Sequence, residues 1–159
     1  MNIIAITQKG PGKAENEDRI ILGKNIIAEG IFQTKLTNGI IAIADGVGGN
    51  IAGSVASHYV AKQLSTLNTV SEDELTKINA KLLSLSLEYP DYEKMATTLS
   101  GIAFFDGTSQ VFSTGNTRVY LLRGRKYLKQ LTADDTTLNY LLTTGQLSPE
   151  EARTFDRRN

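Results

Sequence analysis

The sequence contains no cysteine. Disulfides, thiolate metal sites and cysteine nucleophiles are therefore excluded. It also lacks a surplus of either charge, since 17 Lys and Arg balance 17 Asp and Glu. Binding along a nucleic-acid backbone or to an anionic membrane needs a basic excess, so neither is expected as a partner. The nearest approach to a basic run is Arg123, Arg125, Lys126 and Lys129, which reads as the solvated end of a hairpin. No apolar stretch is long enough to cross a bilayer. The opening Met1-Asn2-Ile3-Ile4-Ala5-Ile6 has no basic region and soon meets Gln8 and Lys9, so it does not read as a secretory signal. A cytoplasmic location is the default expectation. Repeats, low-complexity tracts and proline-rich linkers are absent too. What remains is 159 residues, 40% hydrophobic and 21% charged, which suits one domain with a sizeable core.

Local patterns divide the chain into strands, a helix pair, more strands and short helices. Ile3 to Thr7 reads as a strand, the polar Gln8 to Asn16 as a loop, and Arg19 to Ile27 as a second strand. Gly39-Ile-Ile-Ala-Ile-Ala44 is an apolar run of strand length that ends at Asp45-Gly46. From Ala52 to Leu67 the apolar residues keep helical spacing. Ser71 followed by Glu74 is a capping box, and Leu75, Ile78, Leu82, Leu83 and Leu85 mark the buried stripe of the helix it opens. Strands follow over Thr98 to Phe105, Gln110 to Thr114, Arg118 to Arg123 and Tyr127 to Leu131, with Asp106-Gly107 as a hairpin turn. Thr136 to Thr143 reads as helical, and Ser148-Pro149-Glu150-Glu151 as the start of another helix. Segregated strand and helix runs favour an α+β fold with packed antiparallel sheets over a doubly wound parallel sheet.

The chemistry concentrates in two short segments. Ala44-Asp45-Gly46-Val47-Gly48-Gly49 places a carboxylate at the end of a buried strand, followed by a turn whose glycines expose backbone groups. Hard cations such as Mg2+ take oxygen ligands of this kind. On its own the segment reads more readily as a turn with a helix cap. Two nucleotide-binding readings fail. Gly48 to Ser54 has the glycine spacing of a P-loop but no lysine, and Ile51 occupies the last glycine position of a Rossmann fingerprint. The second segment is Asn16-Glu17-Asp18-Arg19. If it lies beside Asp45, two or three carboxylates converge, and such a cluster calls for a cation.

Asn-Glu-Asp-Arg followed by Ala-Asp-Gly-Val-Gly-Gly resembles the PP2C (PPM) family of metal-dependent serine/threonine protein phosphatases, in its bacterial form. Met95 to Leu99, Gly115-Asn-Thr-Arg-Val-Tyr120, Leu131-Thr-Ala-Asp134, Gly145 to Ala152 and Asp156 to Asn159 resemble further family segments in the same order. The resemblance implies an antiparallel β-sandwich flanked by helices, a phosphoserine or phosphothreonine protein substrate, and two Mg2+ or Mn2+ ions. It implies that Asp45 bridges the ions, that the Gly46 carbonyl binds one, and that Glu17 and Asp18 join directly or through water. A water activated by the metals would attack phosphorus in line, with no phosphoenzyme.

Several positions depart from the family pattern. Lys13 stands where an arginine usually clamps the substrate phosphate; lysine supplies charge without a planar fork. Val47 stands where some relatives carry a histidine, and the single histidine, His58, falls inside the first helix. Asn116 replaces an aspartate tied to a third metal, while Thr98 and Arg118 are expected to support the sheet. The resemblance also implies two further metal-binding aspartates beyond Asn159. The expectation is thus a single PP2C-like domain over 1–159, incomplete at its C-terminus, with little activity alone and with strand edges open to self-association. A non-catalytic PP2C-like interaction module is the alternative.

Overall fold

The computed structural model describes residues 1–48 and 52–155. Its first strands are β1 (Asn2–Thr7), β2 (Asp18–Leu22), β3 (Asn25–Ile27), β4 (Gly30–Lys35) and β5 (Gly39–Val47). Helices α1 (Ala52–Leu64) and α2 (Glu72–Glu88) follow. Then come β6 (Ala96–Thr97), β7 (Leu99–Phe105), β8 (Thr108–Thr114), β9 (Tyr120–Arg123), β10 (Tyr127–Gln130) and α3 (Thr137–Thr143). The main sheet runs β3-β2-β5-β7-β8, with β6 added to the far end of β5, and all its pairings are antiparallel. The fold is α+β, as expected from the segregated pattern.

Alternation along the strands builds two cores. Ile21, Ile40, Ala42, Ala44, Leu99 and Ala103 turn to the face covered by α1 and α2. On that side Ala52, Ala56, Val60, Ala61 and Leu64 of α1 meet them. The small residues let the helix lie close to the sheet. Ile20, Leu22 and Ile27 turn to the opposite face, where Ala5 of the β1–β4 ribbon packs on them. Ile21, Leu22, Ile40 and Leu64 are fully buried, each contributing about 1.5–3 kcal/mol by leaving water. The loop leading into β9 is fastened to the main sheet by Ser100, whose hydroxyl donates to the Thr117 carbonyl at 2.6 Å.

Several elements differ from the sequence reading. Arg19 to Ile27 is not one strand but a hairpin, turned at Gly23, which has a φ of 60°. Strand β4 was not anticipated; five of its six residues are exposed, so it shows no alternation. Strand β5 does not end at Ala44 but runs through Asp45 and Gly46 to Val47, because β6 and the start of β2 continue the ladder there. Helix α1 stops at Leu64, and the segment to Leu67 closes by turn hydrogen bonds. The Ser148–Glu151 side chains do form a reciprocal cap, but only a single 3-10 turn, Glu151–Arg153, follows within the described residues.

Other local signals agree with the structure. Ser71 caps α2, accepting from the Glu74 amide at 3.2 Å. Asp106 and Gly107 both have positive φ, 51° and 79°, in a two-residue turn joining β7 to β8. Arg123, Arg125, Lys126 and Lys129 are exposed around the β9–β10 hairpin. Asp156 to Asn159 lie outside the described residues.

Candidate metal centre

Strands β2 and β5 bring the two acidic segments together. Asp18 is directly opposite Asp45 in the antiparallel register, on the last rung of the β2–β5 ladder. Both residues are half-buried. Like charges opposite one another across a ladder repel. The Asp18 carboxyl is accordingly pushed above its ordinary value, first by burial, then by the charge of Asp45 and a hydrogen bond with it, then by Glu17.

Glu17 is drawn elsewhere. Its carboxylate accepts from the Lys13 ammonium at 2.8 Å, an i,i+4 ion pair on the loop before β2. Lys13 is fully exposed, and its pKa is raised by the hydrogen bond and charge of Glu17, with smaller contributions from Asp45 and Asp18. Lys13 is therefore the ion-pair partner of Glu17, while the charge that opposes the upward shift of Asp18 is that of Arg19. Lys13, Glu17, Asp18, Asp45 and Gly46 all line one cleft of about 470 Å³.

Backbone around the pair is closely held. Asn16 donates to the Thr7 hydroxyl and the Ala28 carbonyl, both at 2.7 Å, and accepts from the Asp18 amide at 3.1 Å. Gly46 is buried under the start of α1. A Cβ there would come within 2.1 Å of the Gly53 carbonyl oxygen and 2.6 Å of the Glu17 oxygen, so no other residue fits. A Cβ at Gly53 would in turn come within 3.0 Å of the Gly46 carbonyl. The Asp45 carbonyl accepts from the Thr98 amide at 2.9 Å and the Thr97 hydroxyl at 3.0 Å. The Thr98 hydroxyl is buried without a partner among the described residues. Gly49 lies outside those residues.

Two adjacent carboxylates that repel one another fit a hard divalent cation, because an ion removes the repulsion and oxygen is its preferred donor. They fit it as part of a coordination sphere. Among the described residues, no group of three or more acidic or imidazole side chains is arranged to hold a metal ion. Glu17 would have to leave Lys13 to add a third.

Of the remaining positions singled out in the sequence, Val47 lines the same cleft and Thr98 holds the Asp45 backbone, while His58, Arg118 and Asn116 lie on other surfaces. Val47 is exposed at the end of β5, and His58 is exposed on α1. Arg118 forks onto Asp134, with Nε to Oδ1 at 2.7 Å, and this contact holds the Asp134 carboxyl below its ordinary range. Asn116 lines a separate small cleft with Arg118 and Asp134. A larger cleft of about 750 Å³ lies at the opposite end of the sheet, between the β2–β3 turn and the α1–α2 loop. None of its described lining residues is acidic, so chemistry rather than size makes the Asp18–Asp45 cleft the candidate site. The sequence reading missed the hydroxyls of Ser57 and Thr97. Their signal was the small-residue face Gly53-Ser54-x-Ala56-Ser57 on the helix that follows the glycine turn, and a threonine pair just before β7.

Comparison with known proteins bears on the chain as a whole. No protein-family model matches the chain. Protein phosphatase PhpP of Streptococcus pneumoniae is 32% identical over 171 residues, spanning 100% of this chain and 65% of that protein. Serine/threonine protein phosphatase PstP of Mycobacterium tuberculosis is 33% identical over 164 residues, spanning 98% of this chain and 29% of that protein. The crystal structure of M. tuberculosis PstP/Ppp superposes with a TM-score of 0.73 at 29% identity, over 99% of this chain and 64% of that one. The PstP catalytic domain in complex with two manganese ions gives 0.69 at the same identity, over 99% of this chain and 65% of that one. The chain belongs to the bacterial PP2C (PPM) family of serine/threonine phosphatases, and the similarity extends over its whole length. It spans just under two thirds of the length of the S. pneumoniae relative.

Among the described residues, no helix is long and apolar enough to cross a membrane.

Proposed function

We propose that this chain supplies one side of a divalent-metal site that hydrolyses phosphoserine and phosphothreonine in protein substrates. The observation that carries the reading is the Asp18–Asp45 pair, two like charges held side by side at the mouth of a cleft. Asp45 and Asp18 would hold Mg2+ or Mn2+, with Glu17 and the Gly46 carbonyl as further oxygen donors. When bound, the ion supplies charge neutralisation for the transferring phosphoryl group and lowers the pKa of water. Strand β5 and its neighbours keep the carboxylates fixed, so little reorganisation is needed on binding. Lys13 stands at the cleft with its positive charge retained. It would balance the acidic group before the ion arrives and attract the substrate phosphate afterwards, as a point charge without the two-donor grip of arginine.

By itself the 159-residue chain is expected to bind metal weakly and hydrolyse phosphopeptides slowly, since its described residues offer two paired carboxylates and one engaged by Lys13. The Lys13–Glu17 pair is also the observation that favours the second reading, a PP2C-like module that binds partners without catalysis. Phosphate release from phosphoserine and phosphothreonine peptides discriminates the two. The enzymatic reading expects release that needs Mn2+ or Mg2+, stops with chelator, and falls at least a hundredfold in Asp45→Asn. Release indifferent to chelator and to Asp45→Asn would contradict it.

A further inference from the structure

The acidic pair sits where the β2–β5 ladder ends. Asp18–Asp45 is its final rung, and the two charges push the strands apart. Two hydroxyls from outside that ladder reach the backbone there. Ser57 of α1, fully buried, donates to the Glu17 carbonyl at 2.5 Å. The same carbonyl accepts from the Gly46 amide at 3.2 Å. Thr97 of β6 donates to the Asp45 carbonyl at 3.0 Å, which also accepts from the Thr98 amide. The peptide group entering Asp18 and the peptide group leaving Asp45 are therefore each held by one amide and one hydroxyl. A peptide plane fixed in this way sets the direction in which the attached Cβ projects.

We propose that Ser57 and Thr97 are positioning residues for the cation site, keeping Asp18 and Asp45 aligned against their mutual repulsion. The proposal rests on the metal-binding reading of the preceding section. Each hydroxyl has a local alternative acceptor, the Ser54 carbonyl at 3.2 Å for Ser57 and the Thr98 carbonyl at 2.9 Å for Thr97. A purely local role would satisfy those hydroxyls without touching the site, and it makes a different prediction.

The test measures Mn2+ dissociation constants by electron paramagnetic resonance, and thermal stability, on the 159-residue chain. Ser57→Ala and Thr97→Val should each weaken Mn2+ binding about tenfold or more. Thr97→Ser, which keeps the hydroxyl, should bind as wild type does. Val60→Ala, a buried change on the same helix, should lower stability while leaving Mn2+ affinity alone. Unchanged Mn2+ affinity in Ser57→Ala and Thr97→Val, or an equal loss in Val60→Ala, overturns the proposal. If the wild-type chain binds no Mn2+, the metal reading fails, and positioning is judged from the Gly46 and Thr98 amides by hydrogen exchange. Roughly tenfold faster exchange there in Ser57→Ala and Thr97→Val, but not in Val60→Ala, supports positioning; unchanged exchange overturns it.

Discussion

Asp18 carries the clearest electrostatic signature of the site. Burial and the neighbouring Asp45 penalise its ionised form, so the folded protein holds that proton more tightly than the unfolded chain does. A carboxyl shifted upward contributes stability below the ordinary carboxylate range, and that contribution is lost as pH rises through the raised value. Metal-free protein near neutral pH therefore carries this repulsion unrelieved. Asp18→Asn is expected to raise the melting temperature of the metal-free protein near neutral pH by a few degrees at most, since the cleft is open to solvent. The difference should shrink at a lower pH, below the raised value, where the wild-type proton is bound. Addition of Mn2+ should stabilise wild type and leave Asp18→Asn unmoved. Thermal melts at the two pH values, with and without Mn2+, check all three outcomes. A variant less stable than metal-free wild type near neutral pH would show that the pair is not repulsive.

At the scale of elements, agreement between sequence and structure followed the strength of the local physics. Ser71 with Glu74 was legible because a side-chain cap is a contact between near neighbours. Ser71→Ala should cost about 1 kcal/mol in urea unfolding, the usual loss of a capping hydroxyl; a change below about 0.3 kcal/mol would show that tertiary packing alone sustains α2. Asp106-Gly107 was legible for a similar reason, since few other pairs accept two positive φ values. Strand β4 was not, because its exposed Gly30, Ile31, Phe32 and Gln33 show no alternation, and only pairing with β1 makes it a strand. The length of β5 was hidden in the same way. Asp45-Gly46 reads locally as a turn, yet non-local partners in β2 and β6 hold it extended. Of the site, the acidic residues were legible by type, their face-to-face pairing only conditionally. The Lys13–Glu17 ion pair and the Ser57 and Thr97 hydroxyls depend on distances that no sequence spacing displays.

The whole molecule is held by one sheet with helices on one face and the β1–β4 ribbon on part of the other. That layout predicts where substitutions matter. Ile21, fully buried beneath α1, should lose about 2–5 kcal/mol when changed to alanine. Ile31, 71% exposed on the ribbon, should tolerate lysine within about 0.5 kcal/mol. Urea unfolding of both variants tests the layering, and comparable losses would contradict it. The same layout places the catalytic claim at one end of the sheet, where β2 and β5 present Asp18 and Asp45 to a shared cleft. The most direct test of that claim is calorimetric titration of Mn2+ into the wild-type protein and into Asp45→Asn near neutral pH. Wild type should show measurable, saturable binding, released by chelator, and Asp45→Asn should show none. Equal binding to both proteins, or none to either, would contradict that claim.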